Sequence, residues 1–169
     1  MASTLESAIN LGVFVRATEA PKTRYNEIYK ENCDRIYSLA FWMTDNELAA
    51  EELSANTFLR AFAVAKLPVR DQIDRAFLAE IREIASVGVL TLNSNISSPS
   101  ASIQGNIKRV HLERAVVQLP ATERLIFLMH DVEGYEHERI ARLLGLNEEE
   151  SRSGLHEARL QIRNLIAKM

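Results

Sequence analysis

"LGLNEEESRSGLHEARLQIRNLI", Leu144 to Ile166, is the stretch on which the reading of this chain turns. Gly145 closes a short apolar-periodic segment and permits the left-handed backbone of a tight helical stop. Asn147 follows as a strong helix N-cap. From there Leu155, Ala158, Ile162, Leu165 and Met169 recur at helical spacing, which predicts one inward face. Arg152, His156, Arg159 and Arg163 fall on a different face. Residues 151–169 hold four cationic side chains against one acid, Glu157, a local charge of +3. Charges within a Debye length of about 8 Å are what an approaching anion feels. Yet Glu148, Glu149 and Glu150 crowd the start of this helix, the end that otherwise attracts anions. Acids in a first turn also favour the helix itself, and Glu148 stands four residues before Arg152, within pairing distance.

Upstream, residues 136–144 read as a short helix. A short helix, a turn containing glycine and a longer helix form the helix-turn-helix arrangement, whose second helix enters the major groove. Two more helices precede it. Leu112, Ala115, Val116 and Leu119 line the first, which Pro120 stops; Leu125, Leu128, Met129 and Val132 line the second. Before these, "NSNISSPSASIQG" (93–105) is rich in Ser and Asn and carries no charge, the composition of a flexible linker.

The part before that linker is also helical. Positions 25, 28, 29, 36, 39, 40 and 43 form an apolar stripe, and Tyr25, Tyr29, Tyr37, Phe41 and Trp42 read mainly as packing residues. "TDNELAAEEL" restarts a helix, with Thr44 and Glu47 as a capping box and Ala55, Phe58, Leu59 and Phe62 as its inward stripe. Pro68 ends it. Asp71 is placed to cap a third helix with Ile73, Phe77, Ile81 and Ile84 inward. "VGVLTL" (87–92) is the one β-like run. The expected fold is all-α: an extension 1–22, a small helical domain 23–92, the linker 93–105, and a helix-turn-helix domain 106–169.

The totals narrow the function classes. The chain has 169 residues, 47% of them apolar, with 20 Lys plus Arg against 23 Asp plus Glu. A net charge of −3 argues mildly against a dedicated nucleic-acid binder. The single cysteine, Cys33, excludes an internal disulfide and a cysteine-based zinc site, and fits a reducing cytoplasm. The first residues lack the basic start and apolar run of a signal peptide. No run of 18 apolar residues exists, so no membrane partner is expected. The histidines 111, 130, 137 and 156 lack metal-protease spacing, and "HDVEGYEHE" (130–138) is a weak metal candidate. With neither a phosphate loop nor a nucleophile motif, no enzyme activity, cofactor or metal is expected.

"LPATERLIFLMHDVEGYEHERIARLLGLNEEESRSGLHEARLQIRNLI" (119–166) resembles the fourth conserved region of extracytoplasmic-function sigma factors. The resemblance rests on Leu119-Pro120, Arg124, Phe127, Asp131-Val132-Glu133-Gly134, Ile140-Ala141, Leu144-Gly145, Ser153, Leu155-His156 and Ala158-Arg159. "YKENCDRIYSLAFWMTDNELAAEELSANTFLRAFA" (29–63) resembles their second region, through Ala50-Glu51-Glu52-Leu53 and Thr57-Phe58-Leu59-Arg60-Ala61. The resemblance implies a transcription initiation factor without chemistry of its own. Its partners would be core RNA polymerase, promoter DNA bound weakly by the factor alone, and an anti-sigma factor. Polymerase contact falls on Glu51, Glu52, Asn56 and Arg60. Contact with the −35 element falls on Arg152, Ser153, His156, Arg159 and Arg163.

The chain departs from the family pattern where DNA should be touched. Phe77 stands in place of a tryptophan, with Glu80 and Glu83 where basic groups are expected. Ser151 takes an inward position that is usually apolar, and Gly154 and Glu157 replace basic residues. Residues 1–107 carry ten cations and thirteen acids. Each lost phosphate contact lowers affinity and salt dependence. Two alternative readings follow: a degenerate sigma-like protein that competes for an anti-sigma factor or polymerase, and a helix-turn-helix regulator independent of polymerase.

Overall fold

The structure is a computed structural model that describes the backbone of residues 5–92 and 109–169 and the side chains of residues 24–92 and 109–169. The expected linker 93–105 lies outside the described residues. Every regular element among the described residues is helical, as the periodicity predicts.

Helix α1 spans Leu5–Thr44, so residues 5–22 of the expected extension lie on the same helix as the apolar stripe. Ile36, Leu39 and Ala40 are buried along it. The aromatics pack: Tyr25 meets Phe62 edge-on at 5.4 Å between ring centres, and Tyr29 meets Phe58 at 4.8 Å. Helix α2 spans Glu47–Val64 and is capped by Asn46, whose side chain accepts from the Ala49 amide. The expected capping box of Thr44 and Glu47 does not form. The chain reverses at Asp45, with φ of 51°, so Thr44 still belongs to α1 and its hydroxyl donates to the Ala40 carbonyl at 2.9 Å.

The inward face of α2 also differs from expectation. Ala50, Leu53, Ser54, Thr57, Phe58 and Ala61 are buried, whereas Ala55 is exposed and Leu59 is 71% exposed. The buried row steps through Ala50, Leu53, Ser54, Thr57, Phe58 and Ala61, which turns Leu59 to the opposite, solvent side of the helix. The Thr57 hydroxyl, buried there, is satisfied by the Leu53 carbonyl at 2.8 Å.

Helix α3 spans Arg70–Ile84, and its N-cap is Val69 rather than Asp71. The Gln72 side chain accepts from the Val69 amide at 2.9 Å, while Asp71 lies inside the first turn and pairs with Arg75. Ile73, Phe77 and Ile81 are buried as predicted; Ile84, at the last position of the helix, is exposed.

The second half contains α4 (Arg109–Val117), α5 (Ala121–Phe127), α6 (His137–Leu144) and α7 (Glu148–Ala167). Helix α5 runs on into one turn of π-helix, Leu128–Val132. Leu119, Leu125, Leu128, Met129 and Ile140 fill the core, whereas Leu112 and Val132, expected inward, are exposed. Gly145 has φ of 76° and closes α6. Asn147 and Glu150 complete a reciprocal capping box, both hydrogen bonds 2.8 Å long.

"VGVLTL" forms no strand; side chains of α5 hold it as a strap. Thr122 accepts from the Gly88 amide at 3.2 Å. The fully buried Glu123 carboxylate accepts from the amides of Thr91 and Leu92 at 2.6 and 2.8 Å. Leu90 on this strap lies against Gly154, where a Cβ would sit 2.6 Å from Ile126 and 2.8 Å from Leu90. Glycine lets α5, α7 and the strap converge on that point without displacing these two methyl groups.

Candidate nucleic-acid and partner interfaces

The helix-turn-helix is built by α6, the Gly145 stop and α7. Arg152, His156, Arg159 and Arg163 are all exposed on α7, and Ser153 is half-buried beside them. The sequence thus brings the expected basic face together. It does not leave that face clear of acids. Arg152 pairs with Glu148 one turn back, and Arg159 forms a two-pronged pair with Asp131 at 2.9 and 2.6 Å. Both arginines remain about half exposed, at 55% and 51% of the side chain. Arg163 has no carboxylate within ion-pair distance among the described residues.

Asp131, the first residue of the Asp131-Val132-Glu133-Gly134 run, sits on the π turn. Burial pushes its carboxyl up, but hydrogen bonds from Arg159 and His130, and their charges, outweigh that and hold it below the usual carboxylate range. The Asp131 hydrogen bond in turn raises the Arg159 guanidinium further, against partial burial. His130 Nδ1 lies 2.8 Å from Asp131, and the His130 ring stacks on His137 with centres 4.5 Å apart. His137 Nδ1 lies 3.0 Å from the hydroxyl of buried Ser151. Burial, then the neighbouring His130 and Arg152, lower the His137 imidazole below its usual range. Among the described residues no cluster of three or more His, Cys, Asp or Glu could hold a metal ion.

Three of the departures from the family pattern do not lie on the basic face. Ser151, Gly154 and Glu157 are all buried. Ser151 positions His137, and Gly154 admits the strap, so neither reports a lost phosphate contact. Phe77 is 1% exposed and is core rather than a platform for an unpaired base.

On α2, Glu51, Glu52, Asn56 and Arg60 are exposed together, as expected of a partner surface. Arg60 is held by Glu80 and Glu83 of α3, and its guanidinium is raised chiefly by the Glu80 hydrogen bond. Leu48 and Leu59 are also exposed here, 74% and 71%. They stand four residues before Glu52 and three after Asn56, on the polar side of α2 rather than on the inward side expected for Leu59.

Sequence reasoning also missed a polar cluster between the two halves. Asp74, 2% exposed, is paired with Arg35 and Arg139 and accepts from Tyr135, while Arg70 reaches Tyr135 and Glu133. A lone Asp in an amphipathic helix gives no signal of a partner sixty-one residues away.

Residues 109–162 match the model of "Sigma-70, region 4", the span of α4 to α7. The chain is 25% identical over 165 residues to the ECF RNA polymerase sigma factor SigE of Mycolicibacterium smegmatis, covering 89% of this chain. It spans 64% of that relative's length. The fold is shared with the sigma factor RpoE, solved in complex with the anti-sigma factor NepR from Bartonella quintana. That likeness has a TM-score of 0.60 at 16% identity, over 85% of this chain and 96% of that one. No helix among the described residues is long and apolar enough to cross a membrane. Residues 109–162 thus match the sigma-70 region 4 family, and the chain as a whole is similar to an extracytoplasmic-function sigma factor.

Proposed function

We propose that the chain is an RNA polymerase sigma factor of the extracytoplasmic-function type, acting in the bacterial cytoplasm. It binds core polymerase, directs it to promoters and leaves the chemistry to polymerase. The observation that carries this reading is the helix-turn-helix at the region 4 match, with Arg152, His156, Arg159 and Arg163 exposed along its second helix. Such a helix docks in the major groove. Arg152, Ser153, His156, Arg159 and Arg163 are assigned to the −35 element, and Glu51, Glu52, Asn56 and Arg60 to the polymerase. The first half, residues 23–92, is assigned to polymerase and the −10 element, and 106–169 to the −35 element.

The modest charge of each DNA surface is consistent with this role, because tethering two weak modules to one polymerase raises their effective concentration. An anti-sigma factor is proposed as the regulatory partner. Reconstituted transcription tests the function: the protein is added to core polymerase with genomic template, and the 5′ ends of the products are sequenced. Starts at a small common set of sequences are expected. Tight polymerase binding without any specific start would indicate a competitor instead, and absence of polymerase binding would overturn the reading.

A further inference from the structure

Arg159 differs from the other arginines of its face in how it is held. Its Nε and Nη2 both donate to the Asp131 carboxylate, at 2.9 and 2.6 Å. A guanidinium is planar and carries five donors in a fixed fork. Once the Nε side is taken, the donors left free are those at the far end of the plane, on Nη1 and the outer side of Nη2. Two parallel donors at that spacing match the O6 and N7 acceptors of guanine in the major groove. Contact with a phosphate requires no such orientation.

The support behind Arg159 is itself fixed. Asp131 contacts His130, His130 stacks on His137, and His137 meets the buried Ser151 hydroxyl. This chain of contacts starts at residue 159 of α7 and returns to residue 151 of the same helix through the π turn and the start of α6. Among the described residues, Arg152 is held only by a neighbour on its own helix. An exposed ion pair alone contributes little, but a two-pronged pair on a partly buried carboxylate is the geometry in which it orients a side chain.

We infer that Asp131 is a positioning residue that presents the far edge of Arg159 to a guanine of the promoter. The inference rests on the sigma-factor reading above. A randomised-duplex selection tests it, using the full-length protein bound to core polymerase and sequencing the retained DNA. Wild type is expected to favour G·C at one position by roughly tenfold or more. Arg159→Ala and Asp131→Ala should both abolish that preference at the same position and leave other positions intact. Asp131→Ala should leave binding to non-selected duplex unchanged or stronger, since an acid is removed; a scaffold defect would weaken every sequence alike. Asp131→Asn, which keeps one acceptor oxygen and the size of the side chain, should retain part of the preference. Full guanine preference in Asp131→Ala would overturn the inference while leaving the sigma-factor reading standing. A wild-type complex that selects no sequence would overturn both.

Discussion

Tyr135 donates its hydroxyl to Asp74 across 2.8 Å and so joins the loop before α6 to the middle of α3. The same carboxylate receives Arg35 at 2.5 Å and Arg139 at 2.6 Å. Arg139 also lies over the Tyr135 ring, 4.1 Å from its centre. Asp74 is therefore the common acceptor for donors from both halves of the molecule. Removing one partner of a buried ion pair leaves the other charges uncompensated, at a cost of about 3–5 kcal/mol. Asp74→Ala should lower stability by that amount, read from the urea midpoint. Asp74→Asn, which still accepts one hydrogen bond, should fall between it and wild type.

Gly154→Ala sets two effects against each other. Alanine raises helix propensity by about 1 kcal/mol. Its Cβ, however, would meet the Ile126 and Leu90 methyls at 2.6 and 2.8 Å, and Ile126 is fully buried. Overpacking of a closed core costs about 1–3 kcal/mol. The net expectation is destabilisation, seen as a lower melting temperature, where an exposed glycine in a helix would have given a rise.

His137 predicts a pH response. Its folded-state value lies below the usual imidazole range, chiefly through burial and then the charges of His130 and Arg152. The unfolded chain therefore takes up this proton first. The stability contributed by neutral His137 is complete above about pH 6.5 and is lost progressively as the pH falls. Urea midpoints at pH 7.5 and 5.5 should differ less in His137→Gln than in wild type.

Arg163 and Arg152 should separate in DNA binding. Arg163 meets no carboxylate among the described residues, whereas Arg152 already pairs with Glu148. A phosphate-contacting cation contributes about one unit to the slope of binding against log salt. Arg163→Ala should weaken binding across all sequences and reduce that slope by about one. Arg152→Ala should change the slope less, because part of its charge is already neutralised. Binding by the holoenzyme measured between 50 and 300 mM salt distinguishes them.

Much of this architecture was legible in the sequence, because periodicity and capping are local. Gly145, Asn147 and the inward row Leu155, Ala158 and Ile162 lie where their spacing put them. The errors arose where a neighbour decided. Leu59 is apolar and at helical spacing from Phe58's row, yet the face that meets the core runs through Ala50, Leu53, Ser54, Thr57, Phe58 and Ala61. "VGVLTL" is β-like in sequence because it is apolar and rich in β-branched residues, yet its partners are the Thr122 and Glu123 side chains rather than another strand. At the basic face, residue positions followed from the helix repeat. The carboxylate on Arg159 comes from the π turn, and nothing in local spacing signals that approach.

The guanidinium of Arg124 donates to the carbonyls of Trp42 and Met43 at the end of α1, to that of Val117 at the end of α4, and to that of Leu119 just beyond it. A single cation thus closes the carboxyl ends of two helices that lie on opposite sides of the covalent connection. Cutting that connection would not by itself part them. A protease site engineered into residues 93–105 should, once cleaved, yield two peptides that still elute together, and Arg124→Met should weaken that association without abolishing it, because Asp74 and Glu123 also bridge the halves.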